Sequence, residues 1–141
     1  MSALTVYGRQ FALASLLTPD IRNTLSDVWI ALTTVVPTVS GTGSDLIEPA
    51  DIAYGRVLYS AGSSHWDFTG SGAAYNTQPL VFPNPTVGGD WGLMRGWAMC
   101  TASTAGQVVL VGALTVPVRV YYSGALAQLT VPVGGIQINH Y

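Results

Sequence analysis

Lysine is absent from this sequence, and charge of either sign is scarce. Only 9% of the 141 residues are charged, against about 25% in ordinary globular domains. Arg9, Arg22, Arg56, Arg95 and Arg119 are the whole basic complement, spread along a chain of net charge −2. No basic stripe exists to neutralise phosphates, which argues against nucleic acid as a partner. The single cysteine, Cys100, cannot form an internal disulfide. It lies in the apolar run Trp97-Ala98-Met99-Cys100 and reads as a small core residue. No apolar stretch approaches the roughly 18 residues of a membrane span. Met1-Ser2-Ala3-Leu4-Thr5 lacks the basic and apolar regions of a secretory signal.

Catalytic patterns are also missing. His65 and His140 stand alone, without the cysteine or carboxylate cluster of a metal site. No G-x-S-x-G elbow occurs, and the glycines of Gly41-Thr42-Gly43 and Gly70-Ser71-Gly72 do not open helices as phosphate cradles do. Asp45, Glu48 and Asp51 cluster in one segment, where calcium ligands could converge. They lack the spacing of an EF-hand loop, and the plainer reading is solvated loop acids. The residues therefore predict no enzyme, no cofactor and no metal.

What is present is an uncharged polar and apolar surface. The hydrophobic fraction is 49%, near the globular norm, so Thr, Ser, Gly, Asn and Gln replace the missing charge. Protein interfaces are depleted in Lys, Glu and Asp and favour Arg over Lys. This composition suits a subunit that lives inside an assembly, with a homo-oligomer expected.

Along the chain, Tyr7, Phe11, Ala14 and Leu17 fall on one helical face, which predicts a short helix over 7–17, stopped by Thr18-Pro19-Asp20. From Asp27 the signals are those of strands: Val28–Thr33, Tyr54–Tyr59, Trp66–Thr69, Gln78–Phe82, Leu93–Thr101, Gln107–Leu114 and Val116–Tyr121. Pro117 is expected at an edge or a strand beginning. Leu126–Val131 and Ile136–Asn139 form the expected final pair, after a turn at Tyr122–Ala125. Residues 35–50 hold two prolines and Ser40-Gly41-Thr42-Gly43-Ser44. They predict a long loop, a place where function or neighbour contacts concentrate. About eight or nine short strands after one helix predict an all-β protein, a single β-sandwich or jelly-roll-like domain over 1–141.

Trp29, Trp66 and Trp97 lie in strand patterns and are expected in the core. Trp91 follows Gly88-Gly89-Asp90 at a turn and is the candidate exposed aromatic. The segments expected to meet neighbours are the helix, the long loop and the Trp91 turn, with Tyr7, Phe11, Leu17, Pro37, Leu46, Ile47 and Trp91 as candidate interface residues. A sugar-stacking face built from aromatics is the alternative.

The order of motifs resembles small accessory structural proteins of tailed bacteriophages, tail-fibre-like or minor virion components. The resemblance runs over about residues 5–139. It is carried by the short helix, Trp29-Ile30-Ala31-Leu32-Thr33-Thr34, Tyr54-Gly55-Arg56-Val57, Phe82-Pro83, Asp90-Trp91-Gly92, Gly112-Ala113-Leu114-Thr115-Val116-Pro117 and Leu129-Thr130-Val131. Tyr122-Ser123-Gly124-Ala125 stands where the family commonly has Gly-Asp. Gly55 and Gly112 read as points of close backbone approach. The resemblance implies a virion component without enzymatic activity, assembled in a bacterial host. It would decorate the capsid or the neck or collar by packing on major capsid, neck or tail subunits. The alternative is a carbohydrate-binding or receptor-binding module of a tail fibre.

Overall fold

β-branched and aromatic residues in Asp27–Thr33 and apolar runs in Asp90–Cys100 and Val108–Tyr121 carry the main sheet. The computed structural model of the chain describes residues 2–17, 27–60, 64–68, 73–124 and 129–139. Five strands form an antiparallel sheet: β1 (Ser2–Leu4), β2 (Asp27–Thr33), β3 (Val57–Ser60), β7 (Asp90–Cys100) and β8 (Val108–Tyr121), in the order β1-β8-β7-β2-β3. A second sheet sets β5 (Ala73–Asn76) between β4 (Trp66–Phe68) and β10 (Gln137–Asn139). A short ladder joins β6 (Leu80–Val81) to β9 (Thr130–Val131). The helix α1 spans Val6–Leu17. The domain is the predicted all-β sandwich with one N-terminal helix.

Strand alternation gives the main sheet two different faces. Val28, Ile30 and Leu32 of β2 point into the main core with Trp97, Met99 and Leu110. Trp66 and Ala74 of the second sheet complete that core with Leu80, Phe82, Trp91, Val120 and Ile136. The opposite face carries Ala31, Ala98, Cys100, Val108 and Val111, a separate buried cluster of mostly small side chains. Trp66 and Trp97 are core residues as predicted, and Trp29 packs at the margin of the second cluster.

Thr5 caps α1. Its hydroxyl accepts from the Gly8 amide at 3.0 Å and donates to the Val108 carbonyl, so one side chain ties the helix start to β8. Gly8 lets the helix lie close: a Cβ there would sit 2.2 Å from the Val109 carbonyl oxygen. The expected stop at Thr18-Pro19-Asp20 lies outside the described residues, as do the Gly70-Ser71-Gly72 turn and His140.

Two strand expectations are corrected. Gln107–Leu114 and Val116–Tyr121 are one strand, β8, with Pro117 inside it. Between Met94↔Val118 and Gly96↔Ala113 the register advances two residues on β7 and five on β8. Pro117 sits in this bulge, where no ladder bond needs its missing N–H. The last two strands do not pair together either. β9 pairs with β6 and β10 with β5, and Asn76 holds the connection between them. Its side-chain amide donates to the Pro132 carbonyl at 2.9 Å and its carbonyl accepts from the Ile136 amide at 2.8 Å. Finally, β1 and β5 were not legible as strands in the sequence.

Candidate interaction surface

The small residues on the second sheet face decide where the long loop goes. Gly96, Ala98 and Ala31 leave a shallow surface, and residues 35–50 lie over it. A Cβ at Gly96 would stand 2.7 Å from Pro37 Cδ, so glycine there makes room for the proline ring. Leu46 packs onto the cluster of Ala31, Ala98, Cys100, Val108 and Val111. The Thr34 amide donates to the Ile47 carbonyl at 3.0 Å, and the Val6 amide to the Val39 carbonyl at 2.9 Å. The loop is thereby fixed to β2 at one point and to the start of α1 at another.

Arg56 fixes the far end. Its Nε donates to both Glu48 carboxylate oxygens, at 3.1 and 3.2 Å, and Nη2 donates to Oε2 at 2.7 Å. Nη1 reaches the Ala102 and Ala105 carbonyls at 3.0 and 2.8 Å, and Nη2 also reaches the Gly43 carbonyl at 2.9 Å. A guanidinium has five donors, and all five are used. One buried side chain thus joins the long loop, the entry to β3 and the β7–β8 connection. Burial works against the charge on Arg56, but the hydrogen bonds and charge of Glu48 hold its pKa above the ordinary value. The Tyr54 hydroxyl donates to Glu48 Oε1 at 2.7 Å and accepts from the Leu32 amide at 3.0 Å. Burial first, and the neighbouring Glu48 second, push its pKa well above the usual phenol range. Gly43 lies so near the β7–β8 connection that a Cβ would overlap the Ala105 carbonyl. Gly55 has open space where its Cβ would be, so of the two glycines read as close approaches only Gly112, against the Trp97 ring, is one.

Of the three loop acids, Asp45 is exposed as expected, and Glu48 and Asp51 are half-buried. Glu48 is paired with Arg56. Asp45 accepts from the Thr42 amide and hydroxyl at 2.7 and 2.8 Å, and these two bonds, the amide foremost, hold its carboxyl below the usual range. Asp51 faces elsewhere. It accepts from the amides of Ala53 and Thr86 and from Trp91 Nε1 at 3.2 Å. The bond from Ala53 is the largest cause of its lowered pKa, against a smaller opposing effect of burial. Among the described residues no group of three His, Cys, Asp or Glu side chains could hold a metal ion.

The candidate interface residues fall in three places. Tyr7 and Phe11 are half-buried on α1, their rings 6.3 Å apart, and Leu17 is 75% exposed at the helix end. Pro37 and Leu46 face the sheet, half-buried, while Ile47 is 57% exposed. Trp91 is the correction. It is 3% exposed and belongs to the main core, edge-on to Tyr54 with ring centroids 5.1 Å apart. Asp51 draws its indole N–H inward, so the turn before it does not present the ring to a neighbour. The residues that the sequence reading passed over are valines. Val6, Val35, Val36 and Val39 stand exposed, and Val35, Val36, Pro37, Leu46 and Ile47 line a groove of about 130 Å³. Of the acids in this loop, Glu48 is tied inward to Arg56, while Asp45 stays exposed and lines the groove.

A profile of the podophage GP4 fiber I protein gp80 family matches residues 4–139. The chain belongs to that family. It is a phage structural protein of the fibre type, and the match takes in both sheets, the helix and the loop face. The resemblance to tail-fibre-like virion proteins, read from the order of motifs, is the same relationship. No curated protein matches the chain. Among the described residues no helix is long and apolar enough to cross a membrane.

Proposed function

We propose that this fibre-family chain is a non-enzymatic packing subunit of the virion. The face formed by residues 35–47 and the start of α1 seats it against a neighbouring virion protein. The observation that carries this reading is the contrast between the two sides of the loop. The inner side is fastened by Arg56, Gly43, Pro37 and Leu46, so the loop is held in one conformation. The outer side shows Val35, Val36, Val39 and Ile47 to solvent. Ordering such apolar side chains outward is unfavourable for a free monomer and useful to a subunit that covers them. A loop already fixed loses little further entropy on docking.

Replacing Ile47 with Glu tests the reading. The carboxylate would lie in the contact, and incorporation of the protein into purified particles should fall by about tenfold or more. The isolated chain should melt unchanged, because Ile47 is exposed. Normal incorporation of the variant would refute the proposal. Imaging of particles with labelled protein separates the decoration of capsid or neck suggested by the sequence from a position in a fibre suggested by the family. Light scattering of the purified chain reads whether copies associate with one another.

A further inference from the structure

Ile52 and Val87 are 94% and 84% exposed, the highest values among the large apolar side chains of the described residues. Each stands at the second position of a four-residue turn. The Tyr54 amide closes one turn on the Asp51 carbonyl at 2.9 Å, and the Gly89 amide closes the other on the Thr86 carbonyl at 2.6 Å. Gly88 takes φ +77°, as the third position of a type II turn requires. Asp51 locks the two turns together. One carboxylate oxygen accepts from the Ala53 amide in its own turn. The other accepts from the Thr86 amide and hydroxyl in the second turn and from Trp91 Nε1. A Cβ at Gly89 would come 2.4 Å from that second oxygen, so glycine lets the carboxylate in. Turn corners ordinarily carry Gly, Pro, Asn, Asp or Ser. Here they carry stiff β-branched aliphatics, held at a fixed separation.

The loop face offers the converse, a groove of about 130 Å³ lined by Val35, Val36, Pro37, Leu46 and Ile47. A cavity of about 150 Å³ accepts a six-carbon ring, so this groove has room for one aliphatic side chain. Ile52 cannot fill the groove of its own chain, because Asp51 holds its turn against Thr86 and Trp91.

We propose that the Ile52–Val87 tip of one copy inserts into the loop groove of the next. The inference rests on the packing reading and names the neighbour on that face as a second copy of this chain. A plug and a socket on different parts of one molecule make a head-to-tail contact, which closes into a ring when the rotation between copies allows. Charge supports the pairing. Asp45 lines the groove and is exposed. Arg119 shares a concavity with Gly88 and Gly89 beside the tip, and only its Nη2 is engaged, by Asp90. Its remaining donors can meet Asp45 of the next copy, while Asp51 and Asp90 already have donors within their own chain.

Sedimentation of the purified full chain tests this with two variants, Ile52→Asp at the tip and Ile47→Glu at the groove. The unaltered chain should self-associate, and each variant alone should do so about tenfold or more weakly, with an unchanged melting temperature. Mixed in equal amounts, the variants should form a heterodimer and nothing larger. The Ile47→Glu copy keeps a sound tip, and the Ile52→Asp copy keeps a sound groove. An unaltered chain that stays monomeric would overturn the inference. So would undiminished association of either variant, or a mixture that yields no heterodimer. The packing reading answers to a separate measurement: a monomeric chain whose Ile47→Glu variant is still lost from particles ends this inference and leaves that reading standing.

Discussion

Arg56 has an acceptor for each of its donors, and this determines what its replacement does. Arg56→Met would leave Glu48 as an unpaired, largely buried charge and the carbonyls of Gly43, Ala102 and Ala105 without a donor. Removing one partner of a buried ion pair costs about 3–5 kcal/mol, and urea unfolding should show a loss of that order. Glu48→Gln keeps an acceptor beside the guanidinium and should cost clearly less. The Tyr-x-Arg pattern was visible in the sequence, but its role was not. Two of the carbonyls that Arg56 holds lie 46 and 49 residues away, and no local spacing signals them. The same reason hid Trp91. A tryptophan after Gly-Gly-Asp reads as a turn residue until Asp51, 40 residues earlier, is seen to take its N–H. Cys100, by contrast, was legible because its surroundings in sequence are also apolar in space. Burial pushes its thiol up to about 11, so it stays protonated and unreactive near neutral pH.

Among the elements, α1 and β8 show two opposite sensitivities. Gly8→Ala inserts a methyl where the helix meets the Val109 carbonyl. Helix and strand must separate, and overpacking of this kind costs about 1–3 kcal/mol. Pro117→Ala falls in the exposed bulge of β8, where no ladder bond changes, and should shift stability by no more than about 0.5 kcal/mol. Calorimetric melting of the two variants side by side checks both. The 3.6-residue spacing of Tyr7, Phe11, Ala14 and Leu17 was enough to place the helix. Its docking distance was not readable, because it depends on a glycine meeting a strand a hundred residues later. The bulge was hidden for a related reason: Pro117 announces a break, and only the partner strand shows that the break is a detour within one strand.

For the whole molecule, stability should depend on acid through carboxylates on three separate segments. Asp45 is held down by Thr42, Asp51 foremost by the Ala53 amide, and Asp90 foremost by the Arg119 side chain. Their folded pKa values lie below the unfolded ones, so their contribution is complete above the ordinary carboxylate value of about 3.9 and is lost as pH falls through the folded values. Melting temperature measured from pH 7 downward should not fall on their account above that value and should decline below it. Fold class was legible because strand runs and Gly/Pro turns recur along the chain. Pairing was less so: neighbouring strands usually pair, yet the last two do not, since Asn76 directs them to different partners.

The pairing of β1 with β8 has a consequence during synthesis. Ser2, Ala3 and Leu4 leave the ribosome before their partners Gly112, Val111 and Leu110, which follow more than a hundred residues later. Thr5 must likewise wait for the carbonyls of Val108 and Val109. β1 therefore cannot take its place beside β8 until those later residues have been translated. Folding of this topology belongs to the slow class set by distant contacts, and the apolar runs of β2 and β7 stay uncovered in the meantime. Large early yields would thus depend on keeping nascent chains apart.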